Sequence, residues 1–482
     1  MFVLLLEVLM TLTTAPPAPA GVLPPARRWA VLAVILAAEV LDLVDATITQ
    51  LAAPTITADL GGGRSLIQWL GASYALALGV LLVVGGRLGD KYGRRRLFLA
   101  GLAGFTAASV ACGLAMSPQT LIAARLAQGA FGALLIPQGF GILGAVFPRD
   151  QIGKAFSAFG PVLGLSAVGG PILAATLIDT DPLGLGWRSM FLINILLGGA
   201  ALLAAHRLLP HDTGDRATVI DTVGALLLAA AMGTLLFGLI DGPAHGWRPA
   251  AWAALAVAAV AFAAFAHRQT TAANPLIRPS LFRNRGFVSG LILGVAFFAA
   301  VAGLLYVISL YLQDGLGHSP LRTALMGSAP MAAGIVVAAI ACHRLIGRLG
   351  RTLILIGLGT TLAGTLGLWA AVHTWASATG PAAIVPAAVV IGLGMGTCFG
   401  TVYDITLGDV TPDEAGSGAG SLTAVQQLAN ALGAAAVTTV YLRGPHHPDQ
   451  AMTTSLLIVA AITLACCGLV GLLPRAAQAR HH

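Results

Sequence analysis

Three carboxylates and one guanidinium stand inside runs of sequence that are otherwise apolar. Glu39, Asp42 and Asp45 share one run and Arg125 falls in another. An ionised side chain at the centre of a membrane helix costs about 2.5–3.5 kcal/mol on insertion scales, so three acids in one helix call for a purpose. At about 100° per residue their directions drift by about 60° from one to the next. With Thr49 they form one broad stripe that should face the interior of a bundle. Arginine keeps its proton, so Arg125 needs a carboxylate or aimed carbonyls beside it, and Asp42 and Asp45 are the candidates. A carboxylate that moves between dry, wet and arginine-paired surroundings changes its proton affinity, the chemistry required to carry a proton across a membrane. The plainer reading of the same residues is a static ion pair that fixes two helices together. Glu39 lies nearer one end of its run, where a structural or solvated acid is equally expected.

The elements that must position these groups follow from composition. The chain has 482 residues, 57% hydrophobic and 9% charged, against roughly one quarter charged in soluble domains. It is an all-α polytopic membrane protein, with fourteen spans expected at about 29–53, 66–86, 97–116, 120–147, 155–178, 187–209, 220–240, 249–266, 287–312, 321–342, 352–373, 382–404, 417–441 and 451–473. With the N-terminus inside, only Arg64, Arg188, Arg248, Arg322 and Arg443 fall on the outer side, and only Arg125 falls within a span. That asymmetry sets the orientation, with both termini cytoplasmic, and accounts for the net charge of +7 without nucleic acid. The five cysteines lie in or beside apolar runs and form no disulfide or metal spacing, and no metal site is expected. Residues 1–28 read as a mobile leader with a proline-rich spacer.

Between the second and third spans lies Gly86-Arg87-Leu88-Gly89-Asp90-Lys91-Tyr92-Gly93-Arg94-Arg95-Arg96. Its glycines allow a sharp bend, and its lone acid should pair with a nearby arginine or a helix N-terminus. The stretch resembles the G-x-x-x-D-x-x-G-R-R signature of the major facilitator superfamily, carried by Gly86, Asp90, Gly93, Arg94 and Arg95. The resemblance implies a latch between two halves of a transporter. A weak copy recurs at a constant offset of 257, from Arg344 to Arg351, with Gly347 where the first copy has Asp90. Spans one to six and nine to fourteen therefore read as two six-helix bundles with two helices inserted between them.

Further stretches extend the resemblance. Asp45-Ala46-Thr47-Ile48 through Pro54 is similar to the D-x-T-I-x-x-x-A-x-P motif of drug-exporting facilitators, and Arg125-Leu126-Ala127-Gln128-Gly129 to their R-x-x-Q-G motif. Gly160-Pro161, Gly164 and Gly169-Gly170-Pro171 resemble the antiporter motif, in which glycines permit close helix contact and prolines bend the helix. Trp187-Arg188 with Phe191 and Asn194 resembles the start of the sixth helix in that family. The resemblance implies a fourteen-helix drug:proton antiporter of the cell membrane, with no cofactor beyond the coupling proton.

The expectation is a proton-coupled exporter, working as a monomer, of amphipathic and chiefly cationic small molecules. Asp45, Asp42, Glu39 and Arg125 form its proton path, and Thr49, Gln128, Tyr306, Asp404 and Gln427 are weaker candidates for its substrate cavity. The corresponding division is a leader at 1–28, a bundle at 29–209, a linker with two helices at 210–286, a second bundle at 287–473 and a tail at 474–482. A coupled or facilitative metabolite transporter is the alternative. A membrane-embedded enzyme would need Asp-rich metal motifs or a polar catalytic loop, and neither is present.

Overall fold

Short capping signals separate the apolar runs, and the runs between them become helices. The computed structural model describes residues 23–148, 151, 155, 158–181, 184–277, 279–342, 345, 349–408, 410, 415–444 and 447–474. Fourteen long helices occupy these residues. The first six are α1 (Pro25–Leu60), α2 (Gly63–Tyr92), α3 (Arg94–Gly113), α4 (Pro118–Val146), α5 (Phe159–Thr180) and α6 (Arg188–Leu208). Next come α7 (Thr222–Ala244) and α8 (Pro249–Thr271). The last six are α9 (Arg285–Gly315), α10 (Pro320–Cys342), α11 (Arg351–Trp375), α12 (Pro381–Gly408), α13 (Ala415–Leu442) and α14 (Pro448–Leu472). Eleven of the described helices are long and apolar enough to cross a membrane, and α1, which carries Glu39, Asp42, Asp45 and Asp59, falls outside that set.

The caps are local contacts. Ser117 and Thr120 form a reciprocal capping box ahead of α4, with Pro118 in the first turn. Asp221 caps α7, Asn284 caps α9 and Ser319 caps α10, each accepting from a backbone N–H in the first turn. Each such cap is worth about 1 kcal/mol. Gly93 breaks α2 from α3 at φ 98°, and Gly350, its counterpart at the repeat offset, precedes α11 at φ 50°. Both angles lie where a side chain is strained, so both copies place a glycine with positive φ at the break. The second copy's Arg344, Gly347 and Arg348 lie outside the described residues.

Two expected boundaries shift. Pro54 does not end α1, which runs on to Leu60 and stops at Gly61 in the left-handed conformation. At the other end, Arg27 and Arg28 belong to the first turn of α1, and Arg28 donates from Nε to the carbonyl of Leu23 at 2.8 Å. The leader expectation for residues 1–22 falls outside the described residues.

In the first bundle α4 packs between α2 and α3, α6 lies on α3, and α1 packs on α5 and α6. In the second, α12 packs between α10 and α11, while α13 lies along α9 and α14 along α9 and α11. The bundles meet along two seams, α2 against α13 and α5 against α10. Helices α7 and α8 form a hairpin whose first member rests on both α2 and α13, so the inserted pair flanks one seam. Polar ties across the seams sit toward the face opposite Gly86–Arg96. Gln68 donates to the Ala435 carbonyl at 2.9 Å and to Thr438 and Thr439 at 3.0 and 2.7 Å. Gln313 donates to the Leu51 carbonyl at 2.9 Å, and the Leu321 amide to Asp179 at 3.3 Å.

Candidate functional site

Helix α1 carries its acids into the first bundle, and the three are held to very different degrees. Asp45, 1% exposed, accepts from Arg125 Nη1 through Oδ2, and from Gln128 Nε2 at 2.8 Å and Asn194 Nδ2 at 3.2 Å through Oδ1. Arg125 is equally buried, donates also to Gln128 Oε1 at 2.7 Å, and lies over the Tyr74 ring with its guanidinium carbon 4.4 Å from the centroid. Arg125 thus meets Asp45 and not Asp42. α4 aligns Arg125 and Gln128 because residues three apart share a helix face. α6 adds Asn194, which also donates to Ser109 of α3 at 2.8 Å. A buried pair surrounded in this way has its charges neutralised and most of its hydrogen-bonding capacity met.

Asp42 sits one turn along the same stripe and is also buried, yet its recorded donor is the single hydroxyl of Tyr74. Glu39, a further turn toward the Gly86–Arg96 face, is half-buried beside Gly139 of α4 and accepts no hydrogen bond from a described residue. The number of donors falls from three at Asp45 to one at Asp42 and none at Glu39. Acceptor capacity is therefore largely filled at Asp45 and mostly open at Asp42 and Glu39.

Between the bundles lies a cavity of about 100 Å³ walled by α1, α5, α9 and α10. Its polar groups are Thr47, Gln50, Ser309, Thr323 and Ser328, set among Leu51, Pro171, Ile308 and Met331. The weaker cavity candidates fall elsewhere. Thr49 is fully buried and donates to its own helix at the Asp45 carbonyl at 2.9 Å, while Gln128 belongs to the Asp45 cluster. Tyr306 is buried against Gly71 of α2, whose missing side chain makes room for the phenol. Gln427 accepts from Asn430 on its own helix at 3.1 Å, and Asp404 is exposed. The sequence placed Thr49 on the acid stripe correctly in azimuth, but the cavity is on the other side of α1, where Thr47 and Gln50 point.

At the signature turn, Asp90 pairs with Arg94 at 3.1 Å within the first bundle, and both side chains are about 40% exposed. Arg94 also donates to the Gly141 carbonyl at 2.8 Å, and Arg95 to the His206 carbonyl at 2.6 Å. The missed residue here is Asp212, in the loop after α6. Its carboxylate accepts from the Arg94 amide at 2.5 Å and the Arg95 amide at 3.0 Å, and so caps α3 from a distant part of the chain. The Asp215 amide donates to the Asp90 carbonyl at 2.7 Å, so this loop is strapped onto the turn. Polar character marked 210–216 as a loop, but nothing local marked it as a cap.

In α5, Gly170 lies against Thr47 and Val44 of α1, where a Cβ would come within 2.8 Å of Thr47 Oγ1, whereas Gly169 meets nothing within 4 Å. Pro171 is inside the helix, as expected of a bend. Pro161 is not a bend, because α5 begins at Phe159 and a proline in the first turn removes no intrahelical hydrogen bond. Gly160, Pro161 and Gly164 have helical backbone, and their side-chain surroundings lie outside the described residues.

Two six-helix bundles, the first built on a buried charge cluster, and the family and relatives they match make this chain a multi-pass membrane transporter rather than an enzyme. The chain belongs to the Major Facilitator Superfamily, whose family model matches residues 35–434. It is 44% identical over 429 residues to a probable actinorhodin transporter of Streptomyces coelicolor, covering 88% of this chain and 74% of that protein. It is 32% identical to the tetracenomycin C resistance and export protein of Streptomyces glaucescens, covering 85% and 75% of the two chains. The multidrug resistance protein Stp of Mycobacterium tuberculosis is 30% identical, covering 82% and 73%. Among solved structures, a peptide transporter of the POT family in complex with sulfate matches with a TM-score of 0.66 at 15% identity, over 92% of this chain and 95% of that one. That likeness concerns the fold.

Proposed function

We propose that this chain is a proton-coupled antiporter that exports an amphipathic small molecule of the antibiotic or drug class by alternating access. Relatives named as exporters of antibiotics and drugs support the direction and the class of cargo. The observation that carries the proton coupling is the graded acid stripe of α1: Asp45 locked to Arg125 and, among the described residues, Asp42 held by Tyr74 alone and Glu39 without a donor. The basic turns face the cytoplasm by the positive-inside rule. The seams tied by Gln68 and Gln313 then close the outer side, and substrate enters from the cytoplasm. Protons leave Glu39 and Asp42 toward the cytoplasm as substrate binds. After the bundles rock, protons from outside return to the stripe, and protonation of Asp45 releases Arg125, Gln128 and Asn194, so that α1, α4 and α6 separate. Gly86, Asp90, Gly93, Arg94 and Arg95 re-form contacts with the second bundle in the outward-open state, and the packing of Gly170 on α1 limits leak along α5.

The test is substrate-driven proton movement in proteoliposomes with an imposed pH gradient, comparing the parent with Asp42→Asn and Asp45→Asn. The expected result is discharge of the gradient by the parent and loss of that discharge in both variants. Drug flux without proton movement in the parent would sink the coupling.

A further inference from the structure

The cavity between the bundles carries a reading of the cargo itself. We propose that it is a subsite for an uncharged, oxygen-bearing part of the substrate, so that the preferred cargo is neutral there rather than a lipophilic cation. This deepens the proposed export function and rests on it.

Among the described residues its wall holds no acid, no base and no aromatic ring. A cation seated there would lose hydration without meeting a counter-charge or a π face, a costly transfer. The nearest acid in sequence, Asp45, has its oxygens occupied by Arg125, Gln128 and Asn194. What the wall offers instead is hydroxyl and amide groups contributed from both bundles, Thr47 and Gln50 from α1 facing Ser309, Thr323 and Ser328 from α9 and α10. Such groups both donate and accept, which suits carbonyl and hydroxyl oxygens.

Thr323 points most directly to a ligand. It is 1% exposed, lines the cavity, and its Oγ1 has no hydrogen-bond partner. Threonines elsewhere in the second bundle, Thr361, Thr365 and Thr401 among them, return their hydroxyls to the carbonyl four residues back. Buried hydroxyls of this kind are normally satisfied, and a ligand oxygen would satisfy this one. The backbone is also reshaped here. α10 makes a π-helical turn at Ala324–Ser328 immediately after Thr323, and α9 makes another at Tyr311–Gly315 just past Ser309. Such turns are rare and recur at functional sites. At about 100 Å³ the cavity takes one substituted ring rather than a whole drug.

The experiment is equilibrium binding to the full-length chain in nanodiscs, with hydroquinone as the neutral single-ring probe and N-methylpyridinium as a single-ring cation of similar size. Thr323→Val is expected to weaken the neutral probe by about tenfold, Gln50→Leu to weaken it by a similar factor from the opposite wall, and Thr323→Ser to stay near the parent. N-methylpyridinium is expected to bind more weakly and to be indifferent to all three substitutions. The subsite is overturned if the neutral probe shows no saturable binding or binds parent and Thr323→Val alike. It is equally overturned if the cation displaces the neutral probe at matching concentration. Because binding is read without transport, failure of proton coupling in proteoliposomes counts against the antiporter reading and leaves this result standing or falling by itself.

Discussion

The two bundles share a helix order and a repeated break, yet their interiors differ in kind. The first is organised around Asp45, Arg125, Gln128 and Asn194, all buried. The second places rings in the corresponding region. Phe297, Phe298 and Phe399 meet pairwise with centroids 5.2–5.6 Å apart, and Tyr403 lies 6.5 Å from Phe298. From Gly286 to Gln313, α9 contains no acid or base, whereas the matching stretch of its counterpart α1 contains Glu39, Asp42 and Asp45. Duplication therefore preserved the scaffold and confined the charge chemistry to one half. A packed aromatic core has no charge state to change, so the second bundle suits the role of a wall against which the first one moves.

The sharpest break in this contrast is Arg125→Ala. It leaves Asp45 as a buried, uncompensated anion, and the expected cost is about 3–5 kcal/mol, seen as a large drop in the unfolding midpoint in detergent. A cost under about 1 kcal/mol would mean that the pair is not the organising centre of the bundle. Phe298→Leu, a smaller change in the other core, is expected to cost about 1–1.5 kcal/mol and to leave proton coupling per substrate unchanged. Altered stoichiometry in that variant would erase the division of labour between bundles.

Tyr74→Phe sharpens the contrast because it removes only the hydroxyl that reaches Asp42. It is expected to cost about 1 kcal/mol and to move the pH–rate profile of drug-driven proton flux, while Tyr306→Phe in the second bundle moves neither. Equal pH profiles for parent and Tyr74→Phe would remove Asp42 from the proton path. Asp212→Ala uncaps α3 from the strap and is expected to cost about 0.5–2 kcal/mol, with faster amide exchange in the first turn of α3 as the local readout. At the opposite face, Asp59 accepts from Trp187 Nε1 at 3.0 Å and Arg188 Nη1 at 2.8 Å, but the ion pair is substantially exposed. Arg188→Gln should therefore cost no more than about 1 kcal/mol, less at high salt.

The sequence by itself determined the helices. Hydropathy and length separate the spans, while the caps at Ser117, Asp221, Asn284 and Ser319, local contacts of side chain and first-turn amide, were found in the structure. The acid stripe, Arg125 and the signature turn were also visible, since a charge in an apolar run stands out without any knowledge of its neighbours. What only the tertiary structure decided was pairing and facing. Whether Arg125 meets Asp42 or Asp45 depends on the rotation of α1 against α4, and the roles of Tyr74 and Asp212 depend on contacts between distant stretches of chain. The cavity depended on the same rotation, which turned Thr47 and Gln50 toward α9 and α10 and buried Thr49 behind them. In a helix the side-chain period is local, but the azimuth is set by neighbouring helices, and no single run of residues encodes it.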